Sequence, residues 1–157
     1  MSSAGEEKSP SDARPIEAGV AYWEHFPHDA DIGVRGFGAS ASEACEQAAL
    51  AMIAAITDLA RIRLERAVEI EVAAPNLELL LVDWLNALVY EMAERRMLFG
   101  AFEVTIDGDR LKARALGEAI SMERHAPAVE VKGATYTELA FVEDRPGHWR
   151  AQCVIDV

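Results

Sequence analysis

Residues 75–96, PNLELLLVDWLNALVYEMAERR, decide the fold class. Pro75 and Asn76 stop the segment before them, and an Asn side chain can accept from the free N–H groups of a first helical turn. From about Leu77 to Arg95, Leu77, Leu80, Leu81, Trp84, Leu85, Leu88 and Met92 recur at helical spacing. Leu79, Val82 and Val89 widen that stripe beyond what one sheet face covers, so the pattern predicts a helix enclosed on more than one side. Arg95 and Arg96 put cations at the negative end of its dipole.

Outward from this helix, periodicity assigns the rest. Val68, Ile70 and Val72 alternate with Glu69 and Glu71, the period of a half-buried strand. Ser40-Ala41-Ser42-Glu43 has the form of a capping box. Behind it Cys45, Ala48, Ala49, Met52, Ile53 and Ile56 follow helical spacing towards Asp58. Val20 to Phe26 reads as a strand broken by Pro27, which has no ladder donor. Ile32 to Phe37 reads as another, its glycines marking bends or close backbone approach.

On the C-terminal side Phe102, Val104 and Ile106 alternate, and Asp107-Gly108 supplies a hairpin turn. Leu111, Ala113 and Ala115 then alternate with Arg110, Lys112 and Arg114. Val129 to Lys132 and Tyr136 to Glu143 read as extended. Asp144-Arg145-Pro146-Gly147 turns the chain into a last strand, His148 to Val157. Two long helices among strands joined mostly as hairpins predict α+β: a single domain with a mixed, mostly antiparallel sheet and both helices packed on one face.

The chain of 157 residues is 51% hydrophobic, and its 15 Lys and Arg stand against 27 Asp and Glu for a net charge of −12. The apolar content is too high for a disordered chain, while charges interrupt every run long enough to span a bilayer. An isoelectric point near 4.7 argues against direct nucleic-acid binding, which needs clustered cations, and suits a partner that is a cation or a basic surface. Residues 1–19 are rich in Ser, Ala, Glu and Pro, and read as a disordered tail before a domain over 20–157. Two cysteines, Cys45 and Cys153, cannot build a disulfide scaffold, and both fall at core positions. With no apolar segment behind the N-terminus, the expected compartment is the cytoplasm.

Two places concentrate chemistry. His25, His28, Asp29 and Asp31 form the densest run of ligand-type side chains. They read either as a metal site or as a polar turn in which Asp29 or Asp31 bonds its own backbone. The second is the end of the sequence, Val154-Ile155-Asp156-Val157, where Asp156 sits beside a terminal carboxylate. Two negative groups there need a cation, a helix N-terminus or water. An interior last strand disfavours water, whereas an edge strand makes Asp156 a solvated end. Lys132, after Val129-Glu130-Val131, reads either as a contact cation or as an exposed edge residue. No G-x-S-x-G, phosphate loop or dinucleotide fingerprint occurs, which favours a binding module over an enzyme.

His25-Phe26-Pro27-His28-Asp29-Ala30-Asp31-Ile32-Gly33 resembles the opening motif F-D-H-T-A-D-I-G of the archease family. The resemblance continues through Ala41-Ser42-Glu43-Ala44, Ala48 to Met52, Leu85-Asn86-Ala87-Leu88-Val89-Tyr90, Arg124-His125-Ala126-Pro127, Glu130 to Tyr136 and Ile155-Asp156-Val157. It spans residues 22–157. It implies a non-enzymatic accessory protein of an RtcB-type RNA ligase, promoting its guanylylation and multiple turnover in tRNA splicing or RNA repair. It also implies a divalent metal, described as calcium, on Asp31, Asp156 and the terminal carboxylate of Val157, with Lys132 as the other functional position, a contact to the partner. Pro27 and Asp29 depart from the motif, leaving open whether Asp29 joins the metal's shell. The alternatives are a metal-dependent phosphohydrolase built on His25, His28, Asp29 and Asp31, and a general chaperone.

Overall fold

Both long helices begin where side-chain caps start them. In the computed structural model, which describes residues 19–157, helix α1 covers Ala41–Ile56 and helix α2 covers Leu77–Arg95. Ser40 Oγ accepts the Glu43 N–H at 3.1 Å, while Glu43 Oε1 reaches back to the Ala39 N–H at 2.8 Å. Asn76 Oδ1 accepts the Leu79 N–H at 2.9 Å, and α2 ends at Arg96, whose backbone is left-handed. The expected tail lies, apart from Gly19, outside the described residues.

The strands are β1 (Tyr22–His28), β2 (Asp31–Gly38), β3 (Arg66–Ala73), β4 (Met97–Asp107), β5 (Arg110–Ala119), β6 (Gly133–Ala134), β7 (Ala140–Arg145) and β8 (His148–Asp156). A short helix α3 (Met122–His125) and a 3-10 turn at Leu59–Arg61 complete the elements. Every pairing is antiparallel. The α+β class is as the periodicity predicts, but the strands divide between two sheets and are not gathered in one. One runs β1-β2-β8-β6 with β7 also on β8, and the other runs β3-β5-β4.

A physical stop separates them. The outer edge of β4 is covered by α1, whose Glu46 Oε2 accepts the Val104 N–H at 2.8 Å and whose Ser42 Oγ accepts the Ile106 N–H at 3.1 Å. With these edge donors satisfied by a helix, that edge is closed to another strand. Helix α1 touches β1, β2 and β8 on one side and β4 on the other, so the helices lie against both sheets. Helix α2 touches β3, β4 and β5 of one sheet and β6, β7 and β8 of the other, the enclosure its wide apolar stripe requires.

Three local expectations are corrected. Pro27 does not break the first strand. It pairs with Ile32 inside β1, an edge strand where a missing donor is tolerated. Residues 129–132 form no strand, and residues 136–139 form a turn closed by the Leu139 N–H on Tyr136 O at 3.3 Å, with Glu138 at φ +55°. Periodicity also missed α3 and the 3-10 turn, each too short to carry a repeat.

Trp84 anchors the core, fully buried, donating Nε1–H to Cys45 O at 3.1 Å and meeting Phe102 edge-on at 5.7 Å. Cys45 and Cys153 are both fully buried, and burial pushes both thiols up, so they act as small apolar side chains. Helix α1 rests directly on β2 at Gly36, where an added Cβ would lie 2.2 Å from Ala48 N and 2.3 Å from Ala44 O. Both obstacles are helix backbone, which cannot swing away. Gly36→Ala should therefore destabilise the fold by about 3 kcal/mol or more, read as a lowered urea midpoint.

Candidate functional site

The register of β2 on β8 runs Ile32 opposite Ile155, which carries Asp31 and Asp156 to the same end of the pair. There the Val157 N–H donates to Asp31 Oδ1 at 3.3 Å across 126 residues of sequence. On the other side of β8, Gly133 pairs with Asp156 and the Lys132 N–H donates to Asp156 O at 2.8 Å. Three distant segments thus bring Asp31, Asp156, Val157 and Lys132 to one end of the five-stranded sheet. Asp31 and Val157 are half-buried, while Asp156 and Lys132 are exposed. Strand β8 is interior, flanked by β2 on one side and by β6 and β7 on the other, so the edge reading of the last strand does not hold.

The donors offered here are all oxygens: two side-chain carboxylates and the backbone end at Val157. That chemistry fits calcium or magnesium, which take six to eight or about six hard oxygens. Among the described residues no group of three His, Cys, Asp or Glu side chains could hold a metal ion.

The histidine cluster is not gathered. His25 Nε2 lies 2.7 Å from Ala51 O on α1, and its ring is 5.0 Å from Trp23. His28, three residues along the same strand, points to the opposite face. It pairs in register with Asp31, and its Nδ1 is 3.9 Å from Asp29 Oδ2. Asp29 occupies the β1–β2 turn with φ +52°, its side chain 93% exposed. Lys132 also borders an apolar groove of about 600 Å³ between α2 and residues 120–132, lined by Val89, Met92, Met97, Ile120, Met122 and Val131.

A second polar cluster was not singled out as a site by sequence reasoning. Glu118, at the end of β5, is 4% exposed and accepts from three groups. These are Arg124 Nη2 on Oε1, and the Arg63 N–H at 2.9 Å and His125 Nε2–H at 2.8 Å on Oε2. His125 Nδ1 accepts the Ser121 N–H at 2.9 Å, so its proton sits on Nε2. Thr57 Oγ1 donates to His125 O, tying the end of α1 to this corner. The available signal was Glu118 itself, a carboxylate interrupting an apolar strand end, with Arg124-His125 a few residues on.

The bond from Arg124, with the Arg63 and His125 donors, holds the Glu118 carboxyl down to about 2 from an ordinary 4.5. A depressed folded-state value means the unfolded chain binds the proton more readily. The contribution is therefore complete above pH 4.5 and lost as pH falls towards about 2. Denaturant melts across that window should show wild type losing stability faster than Glu118→Gln, which has no proton to take up.

The family model described as the archease protein family (MTH1598/TM1083) matches residues 23–157. The chain is 38% identical over 139 residues to the protein archease of Pyrococcus abyssi, covering 86% of this chain and 98% of that one. It is 36% identical over 140 residues to the protein archease of Methanosarcina mazei, covering 86% and 95%. The solution structure of Methanobacterium thermoautotrophicum protein 1598 superposes with a TM-score of 0.75 at 32% identity, covering 86% of this chain and 98% of that one. With the motif residues of its first hairpin and last strand meeting at one sheet end, and these relatives matching nearly end to end, this chain belongs to the archease family.

Proposed function

We propose that this protein is a metal-binding accessory protein that activates an RtcB-type RNA ligase, promoting its guanylylation and multiple turnover in tRNA splicing or RNA repair. The observation that supports this most is the convergence of Asp31, Asp156, Val157 and Lys132 on one sheet end in a member of the archease family. The work is non-catalytic. Its residues bind and orient a partner enzyme, and the reacting atoms belong to that enzyme. A cytoplasmic location fits this role, and no helix among the described residues is long and apolar enough to cross a membrane.

Asp31, Asp156 and the terminal carboxylate of Val157 would hold a calcium-class cation, with Asp29 close enough in sequence to add an outer contact. When bound, such a cation supplies charge compensation that lets these carboxylates sit together. Lys132 offers its ammonium to the ligase from the adjoining edge. The net charge of −12 steers association towards a basic, RNA-binding enzyme and predicts an on-rate that falls with salt. The hydrolase alternative is weakened because His25 and His28 face opposite sides of β1 and so do not converge on one site.

Single-turnover guanylylation of the ligase, with and without this protein, tests the reading: no increase in the guanylylated enzyme rejects it. Asp156→Ala, or residues appended after Val157, should weaken calcium binding in calorimetry and lower ligase stimulation, each by roughly tenfold or more, while the melting curve stays cooperative. Removing residues 1–19 should leave both unchanged. Wild-type calcium affinity in the extended form would reject the terminus as a ligand.

A further inference from the structure

Strand β6 is only Gly133–Ala134, too short to hold its place by strand pairing on one side. On its β8 side it is anchored by the Lys132 N–H on Asp156 O at 2.8 Å and the Thr135 N–H on Val154 O at 3.0 Å. Its other side faces α2, and there the Asn86 amide meets both backbone groups of one residue. Asn86 Oδ1 accepts the Ala134 N–H at 2.9 Å, and Asn86 Nδ2 donates to Ala134 O at 3.4 Å. One side chain thus stands in for a neighbouring strand. Asn is a poor residue inside a helix, and this one sits between Leu85 and Leu88 in the apolar stripe of α2, so helix formation does not account for it. Gly133 gives the amide its room, because a Cβ there would lie 3.1 Å from Asn86 Oδ1.

We infer that Asn86 is a positioning residue for the partner-facing site: its amide clamps Ala134, and through Gly133 fixes where Lys132 stands beside Asp156. The inference rests on the proposed role of Lys132 in ligase activation. Asn86 touches neither ligase nor cation. It acts by removing the freedom of a short segment before the partner arrives, so its loss is felt as weaker docking rather than as a lower limit of stimulation.

The test uses the full chain with Asn86→Ala, Asn86→Asp, Lys132→Ala and the Asn86→Ala/Lys132→Ala double variant. The readouts are the concentration giving half-maximal ligase guanylylation, the rate reached at saturation, and exchange of the Ala134 amide proton by NMR. Asn86→Ala should raise the half-maximal concentration roughly fivefold or more and leave the saturated rate near wild type. Ala134 exchange should quicken about tenfold or more. Asn86→Asp should fall between, since a carboxylate accepts from Ala134 but cannot donate to it. The double variant should be no worse than Lys132→Ala alone, whereas a purely structural role for Asn86 would make the two losses multiply. Wild-type half-maximal concentration in Asn86→Ala, or multiplied losses in the double variant, overturns the positioning role and leaves the functional reading standing. An unaffected Lys132→Ala overturns the contact role of Lys132 and the positioning role with it, whereas no stimulation by the wild-type chain overturns the functional reading.

Discussion

The pairing of β2 with β8 is the constraint from which the rest follows. It joins strands more than a hundred residues apart, with Arg35 Nε on Gln152 Oε1 at 2.8 Å marking the register midway along the ladder. A slip of one residue would turn every side chain of β2 to the opposite face, sending Val34 from the core to solvent. The same slip would separate Asp31 from Asp156. Core and candidate site are therefore specified by one register, and neither can drift without the other.

Helix α1 adds the second restraint on that ladder. Its alanine-rich face lets its backbone come down onto Gly36, while Glu46 and Ser42 reach across to the edge of β4. One element thereby presses on the first sheet and closes the second. Helix α2 then fills the space between, with Trp84 in the core and Asn86 on β6. A polar side chain on the inner stripe of a helix costs desolvation unless its partners are complete. Asn86 meets that condition by bonding a strand that would otherwise have an open side.

Charge is distributed in two distinct ways. On the outer faces of β3, β4 and β5, Arg114 meets Glu69 and Glu103, and Arg110 meets Glu71, exposed pairs of about 1 kcal/mol or less each. They keep a half-buried sheet soluble and do little more. Glu118 is different: it is withdrawn from water and takes donors from Arg124, Arg63 and His125, while Thr57 at the end of α1 donates to the His125 carbonyl beside it. Asp31 and Asp156 come to the same sheet end, and among the described residues no such set of donors surrounds them, which is the electrostatic reason to look there for a cation.

Sequence by itself determined the elements whose periodicity is long: both helices with their caps at Ser40 and Asn76, the β4–β5 hairpin, and the α+β class. It also carried the family, because the motif residues from His25 to Val157 survive in order. Tertiary structure alone decided that the strands form two sheets, that Pro27 sits within an edge strand, and that residues 136–139 turn. Strand pairing depends on partners far along the chain and leaves no local period. The same holds for the site. Asp31, Lys132 and Asp156 could each be named from motifs, but that β8 is interior, and that Lys132 and Asp31 flank it, depends on which strands lie beside it. Asn86 was the least legible, since it acts through backbone groups, which carry no residue identity for a sequence to record, and Glu118 was hard to read because its donors come from segments that only the fold brings together.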